Sequence, residues 1–70
     1  MNMFEAIQNC GDKWFRPVGW TGNAFSLSAD NVIFQAEHNI HLGFEQLSTA
    51  KEILGEWEIV TPELVNEERK

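Results

Sequence analysis

The chain has few of the residues that cross-link small proteins. It has 70 residues and one cysteine, Cys10, so no disulfide can form within a single chain. The only histidines, His38 and His41, have no cysteine pair to join them in a metal site. A chain of this length buries only about 60% of the surface that its unfolded form exposes. Self-association is the remaining aid to stability, so we expect a homo-oligomer.

Basic side chains are also scarce. Five Lys and Arg stand against eleven Asp and Glu, which gives a formal net charge of −6. Binding to nucleic acid needs several contacts from Lys or Arg to phosphates, so direct nucleic-acid binding is not expected. An acidic surface suits a basic protein partner, or it serves only solubility, and both explanations stay open.

Long apolar runs are absent as well. Nothing approaches the ~20 apolar residues of a membrane span, so no membrane contact is expected. The first ten residues lack the basic start and apolar run of a signal peptide, and the lone cysteine favours a reducing compartment. We therefore expect a cytoplasmic protein.

No nucleophile, base and orienting group fall into a recognisable pattern, so we expect no enzymatic activity, no cofactor and no bound metal.

Two capping signals predict helices. Asn2 is expected to cap an N-terminal helix with Phe4 and Ile7 on its apolar face, and Gly11 suits the left-handed position that ends it. Thr49 opens a capping box for a second, short helix that precedes the last strand. Cys10 is expected to be a small buried apolar side chain rather than a reactive thiol.

Alternating apolar and polar residues predict strands. We expect a strand at 13–16, a hairpin over 24–36 with its turn at Asp30 and Asn31, and a terminal strand at 56–60. The segment 37–46 is expected to be a loop, with or without a short strand. The fold class is therefore α+β, with a small antiparallel sheet of about four or five strands, an N-terminal helix and a short helix before the last strand.

The end of the chain is predicted to lie outside this domain. Pro62 ends the terminal strand, so residues 1–61 are expected to form one compact domain and residues 62–70 a mobile C-terminal tail. Trp57 is expected to be in the core. Of Trp14 and Phe15 only one can face the core, because strand neighbours alternate, and the other would be exposed to a partner.

The turn RPVGWTGN carries the candidate site. An exposed Trp20 could stack on a base, Arg16 could contact a phosphate, and Asn23 could contact a base or ribose edge. Gly19 and Gly22 would let backbone N–H groups approach the ligand. The alternative is that Trp20 fills a small core and Arg16 pairs with one of the acids.

Three segments resemble one known family. FEAI near the start, KWFRPVGWTG in the turn and TAKEILGEWEIV near the end occur in the order seen in the second type of phage Thoeris anti-defence sponge. The resemblance spans most of residues 3–60. The chain departs from the family at Pro17 and Val18, where a further basic residue is usual, at Glu56, where Asp is usual, and in a shorter middle segment.

The resemblance implies a compact α+β oligomer that binds and sequesters a cyclic nucleotide or cyclic ADP-ribose-type immune signal without cleaving it, in the host cell cytoplasm. The implied site residues here are Arg16, Gly19, Trp20, Gly22 and Asn23. A relative of the family is implied to inhibit a CRISPR effector instead. The alternative function is therefore an acidic inhibitor of a basic host defence protein that handles nucleic acid. A third possibility is a structural accessory module with no pocket.

Overall fold

The computed structural model describes residues 1–37, 40–43 and 49–70, without the side chains of His41 and Leu42. The α+β class is confirmed. Predictions for His38 and for residues 44–46 of the expected loop lie outside the described residues. The helices and strands are, in chain order, α1 (Met3–Asn9), β1 (Trp14–Pro17), β2 (Ala24–Ser28), β3 (Asn31–Gln35), β4 (Ile40–Leu42), α2 (Ala50–Leu54), β5 (Trp57–Val60) and α3 (Pro62–Glu68).

Five strands form one antiparallel sheet in the order β4-β3-β2-β1-β5. The terminal strand β5 pairs with β1, so the two ends of the chain meet at one side of the sheet. The hairpin of β2 and β3 is confirmed, but its register pairs Ser28 with Asn31. The two-residue loop is therefore Ala29 and Asp30, one residue earlier than predicted, and Ala29 has a φ of 53°.

Aromatic side chains form the core on the first face of the sheet. Phe25 lies at the centre, with ring centroids 6.0 Å from Phe15, 5.2 Å from Phe34 and 5.5 Å from Trp57. Trp57 is buried as predicted, and its indole N–H donates to the Glu52 carbonyl at 2.7 Å. This bond fastens α2 to the last strand and satisfies the only polar atom of the indole.

Helix α1 covers the same face, and Ile7 packs against the core as expected, whereas Phe4 does not. The Asn2 cap is confirmed as a capping box, since its side chain accepts from the Glu5 amide at 2.9 Å and its own amide donates to the Glu5 carboxylate at 3.0 Å. Gly11 follows with a φ of 58°, as predicted. Met3 and Ala6 are buried, whereas Phe4 is 58% exposed, because neighbouring positions on a helix point about 100° apart and the face that packs on the sheet is set by Met3 and Ala6.

The second face of the sheet is covered by α3, so the prediction of a mobile tail at 62–70 is wrong. Thr61 caps the helix, accepting from the Leu64 amide at 3.2 Å, and Pro62 occupies its first turn. Val65 is fully buried against Ala24 and Val60. The compact unit therefore extends through α3, because Pro62 begins a helix here rather than ending ordered structure.

Because both faces of the sheet are covered, Trp14 is not exposed in the way that the sequence predicted. Phe15 is fully buried on the first face, and strand alternation directs Trp14 to the second. There Trp14 is half-buried beside Val60 and Val65 instead of standing exposed.

Among the described residues, no helix is both long and apolar enough to cross a membrane.

Candidate functional site

Arg16 is part of a buried ion-pair network rather than an open surface. It is only 4% exposed and extends from β1 toward α3. Its Nε donates to Glu58 at 2.8 Å, and its two terminal nitrogens donate to both carboxylate oxygens of Glu68, one of them at 2.9 Å. This two-pronged geometry is the strongest that a guanidinium makes with a carboxylate. Arg16 is therefore paired with acids of this chain, as the alternative explanation of its role proposed.

The network shifts the titration of its members. The two Arg16 hydrogen bonds, followed by the Gly22 amide, lower the pKa of Glu68 to about 2. The hydrogen bonds from Arg16 to Glu68 likewise raise the pKa of Arg16 above its usual value, although burial acts in the other direction. Both groups are charged at neutral pH, so the buried guanidinium carries no unbalanced charge to attract a phosphate.

Gly22 is bonded to α3 through both of its backbone polar groups. Its N–H donates to Glu68 at 3.1 Å, and its carbonyl accepts from Arg69 Nε at 2.7 Å. Arg69 also donates to the Gln35 carbonyl at 2.9 Å. Gly22 has a φ of 74°, a left-handed conformation that glycine adopts without strain. Its backbone is thus bonded within the chain, not aimed at a ligand.

Trp20 lies on the other face of the sheet from Arg16. Its ring packs against Phe25 at a centroid distance of 5.6 Å and meets Phe34 edge-on at 6.3 Å. The side chain is half-buried, so it is supported by the core while keeping part of its surface accessible. The sequence predicted that Trp20 and Arg16 would contact one small ligand together. Because they lie on opposite faces of the sheet, they cannot.

Of the five predicted site residues, Trp20 lines a groove between the turn and α2. Gly19 is exposed with a φ of 99°, and Asn23 is half-buried directly before β2. The groove, which we call the Trp20 groove, lies between the turn and α2 and has a volume of about 470 Å³. It is lined by Pro17, Val18, Trp20, Thr49, Lys51, Glu52, Gly55 and Glu56.

The charges of the Trp20 groove come from α2 and from Glu56, which lies just before β5. Lys51 provides one ammonium, and Glu52 and Glu56 provide two carboxylates. The Met1 amino group donates to Glu56 at 2.8 Å, which balances one of those acids. The groove thus combines an aromatic surface, one cation and one further acid. Such a set can hold a planar ligand.

Sequence reasoning missed Lys51 as a groove residue and Glu68 and Arg69 as partners of the turn. The signal for the latter was present, because Thr61 and Pro62 have the residue types and order of a helix start. Within the described part of the chain, no group of three His, Cys, Asp or Glu could hold a metal ion.

Comparison of the chain with protein-family models, with curated proteins and with solved structures gives no match. The resemblance to the sponge family therefore stands on its three sequence motifs.

Proposed function

We propose that this chain is a non-enzymatic counter-defence protein of phage origin that sequesters a nucleotide-type immune signal in the host cytoplasm. The observation that carries the proposal is the position of Trp20, whose ring is backed by two core phenylalanines and borders a groove of suitable size. Ligand pockets range over roughly 300–1,000 Å³. A supported indole at the edge of such a groove is a ready stacking surface for a base.

Stacking supplies the main attraction in this proposal. Base stacking on an aromatic side chain contributes ~1–3 kcal/mol per base in single-strand binding, and a rigidly backed ring loses little entropy when the base arrives. Lys51 takes the phosphate contact that the sequence assigned to Arg16. Because Glu52 and Glu56 lie in the same groove, a ligand with few phosphates is favoured over a phosphate-rich one.

A second copy of the chain completes the proposal. A homo-oligomer, which the resemblance implies, would cover the Trp20 groove with another protomer. Closure excludes water and strengthens both the stacking and the Lys51 contact. The expected assembly is a homo-oligomer. Its apparent affinity for the ligand should fall when the oligomer dissociates.

Calorimetry against cyclic dinucleotides and cyclic ADP-ribose isomers tests the proposal. We expect micromolar or tighter binding, recovery of the intact ligand after heat denaturation, and loss of binding in Trp20→Leu. Trp14→Phe is the matched control, since it changes a tryptophan on the opposite face of the sheet. Lys51→Gln should weaken binding, and Lys13→Gln should not. If the folded wild-type protein binds no member of the panel at micromolar concentration, the proposal is wrong.

The second candidate is an acidic inhibitor of a basic defence protein. One observation favours it. Arg16 and Arg69 are both bonded within the chain and Lys70 pairs with Glu67, so few basic groups oppose the acidic side chains at the surface. Capture by charge should weaken strongly between low and high salt, whereas stacking should weaken less. A host-lysate pull-down at low salt that recovers no partner would count against this candidate.

A further inference from the structure

We propose that Glu68 and Arg69, at the end of α3, are positioning residues for the turn that carries Trp20. The inference rests on the proposed function, because it matters only if Trp20 meets a ligand. It assigns to the C-terminal helix a task beyond covering the second face of the sheet. The helix holds the turn from one side while the aromatic core holds the indole from the other.

The contacts of Gly22 are the basis of this inference. Glu68 accepts the Gly22 N–H at 3.1 Å, and Arg69 donates to the Gly22 carbonyl at 2.7 Å. The last residue of α3 and its C-cap residue therefore bond both backbone polar groups of one glycine. Gly22 is two residues from Trp20. Hydrogen bonds to charged groups are roughly twice as strong as those between neutral groups, which makes this a firm attachment.

The turn is attached at its start, where the Val18 amide donates to the Glu56 carbonyl at 3.0 Å, and its two glycines are the positions that need a further attachment. Gly19 and Gly22 both have positive φ, with values of 99° and 74°, and glycine at these positions leaves the chain many alternatives when it is not held. Within the turn, the Trp20 amide donates to the Pro17 carbonyl at 3.2 Å. The link to α3 therefore removes freedom that the local sequence leaves.

The two positioning residues are themselves anchored to strands on either side of the turn. Arg16 of β1 holds both oxygens of Glu68, and Arg69 reaches the Gln35 carbonyl of β3 at 2.9 Å. The end of α3 thus joins β1, the turn and β3 on one face of the sheet. A movement of α3 would be transmitted to the turn, and hence to the Trp20 groove.

Amide hydrogen exchange followed by NMR tests the inference in the free protein. In Glu68→Ala we expect the Gly22 amide to exchange roughly tenfold to hundredfold faster, beyond any change in central-strand amides, because its acceptor is lost. In both Glu68→Ala and Arg69→Ala we expect the indole N–H resonance of Trp20 to shift or broaden. Central-strand amides of β2 report global stability in the same sample.

Two controls separate positioning from general destabilisation. Glu67→Ala removes a neighbouring acid that pairs with Lys70 at the exposed surface, and should leave Gly22 and Trp20 unchanged. Met3→Ala destabilises the fold through the core contact of α1 and leaves α3 unchanged, so it should speed exchange of β2 and of Gly22 by the same factor. If Glu68→Ala and Arg69→Ala behave like Met3→Ala, with no separate change at Gly22 or Trp20, the positioning role is refuted.

These measurements need no ligand, so they stand apart from the proposed function. If exchange and the indole resonance respond as expected but the nucleotide panel fails to bind, the positioning role is upheld and the proposed function is refuted. If the panel binds equally well to wild type, Glu68→Ala and Arg69→Ala, with the Trp20 resonance unmoved, the positioning role is refuted and the proposed function is upheld.

Discussion

Replacing Val65 with Ala is the most direct test of whether α3 belongs to the folded core. Val65 is fully buried between Ala24 and Val60. Removing two buried methyl groups costs about 1.6 kcal/mol in transfer free energy, and the cavity left behind adds about 1 kcal/mol. The better helix propensity of Ala returns about 0.5 kcal/mol. We therefore expect the free energy of unfolding to fall by about 2 kcal/mol.

That loss is large for a chain of 70 residues, whose whole stability should be about 4–10 kcal/mol. It corresponds to a decrease in melting temperature of about 8–16 °C, measurable by thermal unfolding followed by circular dichroism. The matched control is Leu64→Ala, one residue earlier on a side chain that is 45% exposed, with an expected loss below about 1 kcal/mol. Equal melting temperatures for wild type, V65A and L64A would refute the docking of α3 and restore the mobile tail.

Three further predictions concern the turn, the first helix and acid stability. Ala29→Gly should raise the free energy of unfolding by about 0.5–1 kcal/mol in urea titrations, because Ala29 has a φ of 53° and glycine removes that strain, whereas Asp30→Gly should not. Met3→Ala should lower it by about 2–3 kcal/mol and Phe4→Ala by less than about 0.5 kcal/mol, and the reverse order would contradict the described helix face. Because the pKa of Glu68 is lowered to about 2 from an ordinary 4.5, its stabilising effect is complete above about pH 4.5 and is lost as the pH falls toward about 2. The melting-temperature gap between wild type and Glu68→Gln should therefore narrow over that range, and a gap independent of pH would contradict the ion pair.

The elements with local signals were predictable from the sequence. Asn2 and Thr49 are helix caps that act within three residues, and the period-two alternation of β2 and β3 needs only a short window. Gly11 follows from the same local logic. The hairpin loop was misplaced by one residue because Ala29, unlike Gly or Asn, gives no sign that it adopts a left-handed conformation.

Helix α3 was not predicted because proline can mark either the end of a strand or the first turn of a helix. Proline cannot continue a β-ladder, so Pro62 after β5 was interpreted as the end of ordered structure. Proline is equally at home in the first turn of a helix, and Thr61 before it is a good cap. The apolar stripe of α3 is short, with Val65 as its buried residue, so periodicity gave little help.

The separation of Arg16 from Trp20 explains why the predicted site divides into two parts. Arg16 at the end of β1 and Trp20 in the turn that follows are four residues apart, and this nearness in sequence implied nearness in space. Strand alternation instead sends Arg16 to the face opposite Phe15, while the turn carries the indole back over the aromatic face. A chain with eleven acids offers many partners for a buried guanidinium, and sequence cannot choose among them when the partner is 52 residues away. The choice was made by α3, which places Glu68 against Arg16. Lys51 is the cation that lines the Trp20 groove, because strand alternation places Arg16 on the opposite face and α3 pairs it there with Glu68.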